Sequence, residues 1–152
     1  MATKQIISLN GSPRKRHSNT GRLLHEIAEL IPPHVAHVSQ LNLADYEISH
    51  CVGCQRCILQ DRSCFVDDDA EAVLRKIRDA DGLILSSPVY MLNVSGKLKS
   101  LIDRSARWFH RPTLVGKPAL LASTTAGSGL KDTLDYLRKV VIQWGAHPTG
   151  QI

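Results

Sequence analysis

One segment of this 152-residue chain, residues 5–31, reads QIISLNGSPRKRHSNTGRLLHEIAELI. The apolar run from residue 5 to residue 10 is typical of a strand that is buried on both faces in a parallel sheet. Ser18, Asn19 and Thr20 are good helix N-caps, and the helix that follows them places five apolar residues on one face: Leu23, Leu24, Ile27, Leu30 and Ile31. The segment therefore predicts a strand, a loop over residues 11–20 and a helix.

The same alternation of strands and helices continues along the chain. Further strands are predicted at residues 35–41, 82–86 and 119–122, and a weak fifth strand within residues 146–152. Helices are predicted after the acidic residues 67–69, over residues 95–109, and from residue 130 with the stripe Leu130, Leu134, Leu137 and Val141. This order predicts an α/β fold in one domain, residues 1–152, with a cysteine-rich insertion at residues 50–65.

Composition limits the function classes. The chain is 43% hydrophobic and 22% charged, and its apolar runs are far shorter than a bilayer crossing, so we expect no membrane partner. Residues 1–5 lead into a strand without the apolar region of a secretory signal, so the cytoplasm is the expected location. The net charge of +5 comes from scattered basic residues without an aromatic stacking pattern, which predicts anionic cofactors rather than nucleic acid.

Three loops, residues 11–20, 87–91 and 124–129, leave the carboxyl ends of predicted strands, and such loops meet at one crevice of a doubly wound sheet. The first loop brings hydroxyl and amide groups to a helix N-terminus, where backbone N–H groups favour a phosphate, and Arg14 adds positive charge. The alternative, that residues 18–20 only cap a helix, stays open for this loop. Dinucleotide Rossmann and P-loop sites are disfavoured because the chain has neither glycine signature.

All four cysteines lie in one segment as Cys51-x2-Cys54-x2-Cys57-x6-Cys64. In a reducing compartment such clustering favours a metal or redox role over disulfides. The compact spacing suits three corners of a 4Fe–4S cluster, with Cys64 near enough to bind the fourth iron. Zinc, structural thiols and a thiol switch stay open as alternatives.

Several motifs in this order resemble the flavodoxin-like NAD(P)H-dependent FMN reductases, especially their iron–sulfur flavoprotein branch. They are Gly11-Ser12-Pro13-Arg14 with Ser18-Asn19-Thr20, Cys51-x2-Cys54-x2-Cys57, Asp68, Ala80-Asp81, Ser87-Pro88-Val89-Tyr90, and Leu98-Lys99-x3-Asp103-Arg104. The resemblance implies a five-stranded parallel sheet of order 2-1-3-4-5 with helices on both faces. It also implies FMN at the carboxyl edge and a homodimer or tetramer.

The resemblance also assigns roles to residues. It implies that the FMN phosphate is held by Ser12, Arg14, Ser18, Asn19 and Thr20. The isoalloxazine ring would be lined by Pro88, Val89, Tyr90 and Met91, with a tuning role for Tyr90, and the third side closed by Thr124, Thr125 and Gly127. The cluster ligands would be Cys51, Cys54, Cys57 and Cys64.

The implied reaction takes hydride from NAD(P)H as co-substrate and passes electrons to an unidentified acceptor, through the 4Fe–4S cluster if there is one. No catalytic residue beyond the flavin is required. Two alternatives are a flavodoxin-like electron carrier that does not oxidise nicotinamide, and a cysteine-based redox or metal sensor. Trp108 and Phe109 suit either the core or a subunit interface.

Overall fold

The sheet explains how distant parts of the chain meet. In this computed structural model, which describes residues 3–152, five parallel strands lie in the order β2-β1-β3-β4-β5. The strands are β1 Lys4–Asn10, β2 Ala36–Asn42, β3 Gly82–Pro88, β4 Pro118–Thr124 and β5 His147–Gln151. The predicted α/β class, strand order and fifth strand are confirmed.

In the described part of the chain, six α-helices connect or flank the strands: α1 Asn19–Glu29, α2 Arg56–Leu59, α3 Ala70–Asp79, α4 Gly96–Arg104, α5 Ala106–His110 and α6 Leu130–Gln143. Two residues of the predicted apolar faces are exposed. Leu30 follows the end of α1 and is 82% exposed, and Leu130 at the start of α6 is 37% exposed. Both lie at helix termini.

The helix predicted over residues 95–109 is two helices that meet at Ser105. The Ser105 hydroxyl donates to the carbonyl of Ile102 at 2.7 Å and accepts from the Trp144 indole N–H at 2.8 Å. A serine that bonds its own preceding turn competes with the regular helix pattern. The break turns α5 so that Trp108 packs edge to face on Trp144, with ring centroids 5.3 Å apart.

Helices cover both faces of the sheet. The larger core lies under α3 to α6 and includes Leu9, Leu85, Leu98, Leu121 and Leu137. The smaller core lies between α1 and the other face, where Leu24 and Ile27 contact Ile84 and Ala122. Trp108 belongs to the larger core, whereas Phe109 is 59% exposed.

Strand register brings the three ligand loops together. Asn10 at the end of β1 pairs with Ser86 in β3, and Pro88 at the end of β3 pairs with Thr124 at the end of β4. Because the strands are parallel, the loops that follow them leave from one edge. Among residues 3–152, no helix has the length and apolar character to cross a bilayer.

Candidate functional site

The first loop folds around the buried side chain of Asn10. Its carbonyl oxygen accepts the backbone N–H of Ser12 at 3.0 Å, and its amide donates to the Lys15 carbonyl at 3.1 Å and to the Asn42 side chain at 3.2 Å. A buried polar side chain needs such partners, and here they set the path of the loop. Sequence reasoning missed this role, although an asparagine that ends an apolar strand was the available signal.

Close backbone contacts explain two glycines in the first loop and the start of α1. A Cβ on Gly21 would lie 2.5 Å from the Lys15 carbonyl oxygen and 2.8 Å from Arg16 Cα. A Cβ on Gly11 would lie 2.7 Å from the Ser86 carbonyl oxygen. Only glycine allows the loop to approach helix α1 and strand β3 this closely.

Ser18 is the N-cap of α1. Its hydroxyl accepts the Gly21 N–H at 2.9 Å and donates to the Lys15 carbonyl at 2.6 Å. The capping interpretation of Ser18 is thus confirmed as a structural role. The N–H groups of Asn19 and Thr20, in the first turn, have no carbonyl one turn earlier in the helix. They give this end of α1 the partial positive charge that anions favour.

Hydrogen bonds join the three loops directly. The hydroxyls of Thr20 and Thr124 lie 2.7 Å apart, and the N–H of Val89 donates to the Thr124 carbonyl at 2.8 Å. Thr125 accepts the N–H of Gly127 at 3.1 Å, which shapes the turn of the third loop. The first two contacts join residues far apart in sequence, so they define one site from three separate segments.

The loops enclose an open cleft of about 270 Å³. It is lined by Ser12, Arg14, Ser18, Asn19, Thr20, Pro88, Val89, Tyr90, Thr124, Thr125 and Ala126. Ten of the twelve predicted cofactor residues are therefore brought together, since Met91 and Gly127 do not line the cleft and Met91 is 96% exposed. Ala126 lines it without having been predicted. Of the described lining residues, Arg14 carries positive charge and none is a carboxylate.

The second loop holds an unusual turn next to the cleft. Tyr90 and Asn93 exchange backbone hydrogen bonds of 2.7 and 3.0 Å across Met91 and Leu92, whose φ values are +46° and +64°. Two consecutive non-glycine residues in the left-handed region are strained, and such strain is typical of ligand-binding segments. The turn leaves Tyr90 45% exposed between the first cleft and a second of about 210 Å³.

A larger cavity of about 320 Å³ lies at the other end of the helices. It is formed by the C-terminal parts of α4 and α6 together with α5, and it includes Ile102, Phe109 and Trp144. Both helices begin at the carboxyl edge of the sheet, so this cavity is distant from the ligand loops. The cleft of about 270 Å³ between the three loops has the donors that a phosphate needs, and it is the candidate cofactor site.

The four cysteines surround one small pocket, which also contacts Arg104. Cys51 and Cys54 are exposed, whereas Cys57 and Cys64 are half-buried. Burial raises the pKa of the Cys57 thiol, and the neighbouring thiols of Cys64, Cys51 and Cys54 raise it further. Across residues 3–152, no group of three or more His, Cys, Asp or Glu side chains is arranged to hold a single metal ion. The segment thus brings the predicted ligands to one place without a preformed mononuclear site.

A buried ion pair links the two ends of the cysteine segment. Two nitrogens of the Arg104 guanidinium donate to the Asp68 carboxylate at 2.6 and 3.0 Å, and these side chains are only 1% and 5% exposed. Asp68 also accepts the N–H groups of Ser49 and Ala70 at 2.8 and 3.0 Å, and Arg104 donates to the Ser49 carbonyl. Because Ser49 precedes the first cysteine and Asp68 follows the last, the pair anchors both ends.

The ion pair shifts the pKa values of both Asp68 and Arg104. Burial raises the pKa of Asp68, but the Arg104 hydrogen bond and the two backbone N–H donors outweigh burial and lower the pKa to about 2. Burial lowers the pKa of Arg104, but the Asp68 hydrogen bond and the nearby Cys64 sulfur outweigh it, so the pKa is raised. Both groups are therefore charged at neutral pH. Asp68 thus connects the Ala70 N–H at the start of α3 with Arg104 and with Ser49 before the first cysteine.

Comparison with known families agrees with this geometry. The model of the family described as NADPH-dependent FMN reductase matches residues 5–152. The chain belongs to this family.

Relatives share the sequence over most of the chain. An iron–sulfur flavoprotein of Archaeoglobus fulgidus is 32% identical over 147 residues, which are 96% of this chain and 66% of that protein. An iron–sulfur flavoprotein of Methanocaldococcus jannaschii is 38% identical over 112 residues, 74% of this chain and 54% of that protein. The chain thus spans between about half and two thirds of these relatives. The apo structure of an NADH:FMN oxidoreductase, at 23% identity, covers 98% of this chain and 75% of its own with a TM-score of 0.69, which supports the fold.

Proposed function

We propose that this chain binds FMN in the cleft at the carboxyl edge of the sheet and acts as an NAD(P)H-dependent flavin oxidoreductase. The observation that carries the proposal is the closure of three loops on one another, through Thr20, Thr124 and Val89, beside the N-terminus of α1. Membership of the FMN reductase family supports it. When bound, FMN supplies the chemistry of hydride acceptance from a nicotinamide and onward electron release.

The first loop fits a phosphate group. Ser12 and Thr20 offer hydroxyls, Arg14 offers a guanidinium, and the first N–H groups of α1 offer donors that no helix carbonyl uses. The hydroxyl of Ser18 is engaged in capping, so we assign Ser18 to orienting these N–H groups. Asn19 completes the predicted phosphate set.

The other two loops fit the flavin ring and its ribityl chain. Pro88, Val89 and Tyr90 give an apolar wall with one hydroxyl, and Thr124 and Thr125 give polar groups beside it. Met91 and Gly127 were predicted here, and we assign them to the rims of the loops, outside the cleft. The strained turn at residues 91–92 fixes the backbone beside Tyr90, which we propose to contact the ring.

We further propose that Cys51, Cys54, Cys57 and Cys64 hold a 4Fe–4S cluster. The donor set fits, since four sulfurs share one pocket and cubane clusters take four cysteine thiolates. The names of the archaeal relatives support this assignment. The proposed partners are a nicotinamide nucleotide, an electron acceptor of unspecified identity and further copies of this chain in a homodimer or tetramer.

Flavin binding is tested with Arg14→Gln against the control Arg22→Gln, which removes the same charge from an exposed position on α1 outside the cleft. A charge-assisted hydrogen bond to phosphate is worth about 1.5–3 kcal/mol, so FMN affinity should fall about 10- to 100-fold in Arg14→Gln alone. Fluorescence titration of FMN into the apoprotein measures it. Equal affinities in both variants would contradict the phosphate site.

The reaction is tested by anaerobic stopped-flow mixing of the FMN-loaded protein with NADH or NADPH. Bleaching of the flavin absorbance at a useful rate is expected for a reductase. A flavin that stays oxidised would favour an electron carrier, and a chain that refuses FMN would favour a cysteine-based sensor.

The cluster is tested by assaying iron and acid-labile sulfide in Cys54→Ala, prepared anaerobically, with Ser63→Ala as an exposed control in the same segment. The wild type and the control should hold about four irons per chain. Cys54→Ala should lose the iron and keep FMN, whereas unchanged iron would contradict the ligand assignment.

A further inference from the structure

Arg104 has one hydrogen-bond donor that the fold does not use. Its two terminal nitrogens donate to Asp68 and to backbone carbonyls of Ser49 and Val66. Its Nε is buried and, within residues 3–152, has no hydrogen-bond partner. Leaving a charged donor unsatisfied inside a protein is costly, so a buried guanidinium normally uses all its N–H groups.

The unused donor belongs to a side chain that lines the cysteine pocket. Arg104 shares this pocket with all four cysteines, and the Cys64 sulfur helps to raise the pKa of Arg104. Arg104 and Cys64 also share the adjoining hollow with Cys57 and Arg107. Arg104, with one N–H group unused among the described residues, therefore lies beside a set of sulfurs.

Asp68 fixes the orientation of the Arg104 guanidinium. The carboxylate binds both terminal nitrogens, and two backbone N–H groups hold the carboxylate in turn. Because the guanidinium is planar, fixing its two terminal nitrogens also fixes Nε. Lysine carries the same charge but lacks the planar fork, so it does not reproduce this geometry.

We infer that Arg104 is a positioning residue that donates its Nε–H to a sulfur of the metal centre held by the four cysteines, with Cys64 as the candidate acceptor. The inference rests on the cluster assignment in the proposed function. Hydrogen bonds to the sulfurs and nearby charges set the reduction potentials of iron–sulfur centres. A cationic donor stabilises the reduced cluster, which carries one more negative charge than the oxidised cluster.

The experiment compares cluster reduction in the wild type and two variants. Arg104→Lys keeps the charge and removes the fork, and Arg104→Gln combined with Asp68→Asn replaces the ion pair by neutral amides. Arg138→Gln is the control, since Arg138 is exposed on α6 and lines neither the cysteine pocket nor the adjoining hollow. The fraction of reduced cluster is measured by electron paramagnetic resonance during an anaerobic, dye-mediated redox titration, with iron, sulfide and circular dichroism on each sample.

The ratio of reduced to oxidised cluster at a fixed potential should fall about tenfold in the double variant, equivalent to 59 mV for one electron. Arg104→Lys should show a smaller fall, and Arg138→Gln should match the wild type. Equal potentials in all four proteins would overturn the inference and leave the cluster assignment intact. Cluster loss from both folded Arg104 variants would also overturn it, because the residue would then serve only the shape of the segment. A wild type that takes up no iron or sulfide would overturn both proposals.

Discussion

Replacing Asp68 by asparagine tests how the buried ion pair stabilises the cysteine segment. Asparagine keeps the shape of the side chain and one acceptor oxygen, but it leaves the Arg104 guanidinium, 1% exposed, without its counter-charge. Removing one partner of a buried ion pair costs about 3–5 kcal/mol. The lowering of the Asp68 pKa from 3.8 to about 2 gives an independent value of about 2 kcal/mol for the ionised form. We therefore expect the free energy of unfolding to fall by about 3 kcal/mol.

The pH dependence of the free energy of unfolding tests the same ion pair in a second way. The pKa of Asp68 is lower in the folded protein, so its ionised form stabilises the fold above the unfolded pKa near 3.8. This contribution is lost as the pH falls toward about 2. The stability difference between the wild type and Asp68→Asn should therefore be constant near neutral pH and shrink below about pH 4.

Urea unfolding of both proteins, followed by circular dichroism under reducing conditions without metal, measures the difference. Asp79→Asn is the control, because Asp79 pairs with Arg78 at an exposed position of α3, and its unfolding midpoint should match the wild type. A loss below about 1 kcal/mol in Asp68→Asn, or a difference that does not change with pH, would refute the reasoning about burial.

Two further predictions concern the helix ends. Gly21→Ala should weaken FMN binding more than tenfold, although alanine is the better helix former, because its Cβ would lie 2.5 Å from the Lys15 carbonyl oxygen and displace the first loop; a flavin titration measures this, and unchanged affinity would show that the loop adapts. Trp144→Phe removes the 2.8 Å indole hydrogen bond to Ser105 and should lower the free energy of unfolding by about 1–3 kcal/mol. Urea unfolding measures it, and an unchanged midpoint would mean that the Ser105 hydroxyl finds another partner.

Local patterns were enough to predict most of the cleft. The hydroxyl-rich loop after β1, the Pro88 to Tyr90 turn and the threonines after β4 each follow a buried apolar run, so each could be assigned to the carboxyl end of a strand. Met91 was predicted in the cleft and lies outside it, because its left-handed backbone turns the side chain into solvent. The sequence predicts the loop but not the backbone dihedral angles that decide where its side chains point.

The sequence by itself determined the α/β class, the order in which strands and helices follow one another along the chain, and the clustering of the four cysteines. These features depend on periodicity and spacing within short segments. Only the tertiary structure revealed the polar contacts across the chain. Asn10 joins residues on two strands, and Arg104 joins Asp68, which lies 36 positions earlier. Such pairs depend on how helices pack on the sheet, and a buried arginine and an exposed one look the same in a sequence. The unsatisfied Nε of Arg104 became visible only when the surrounding atoms were in place.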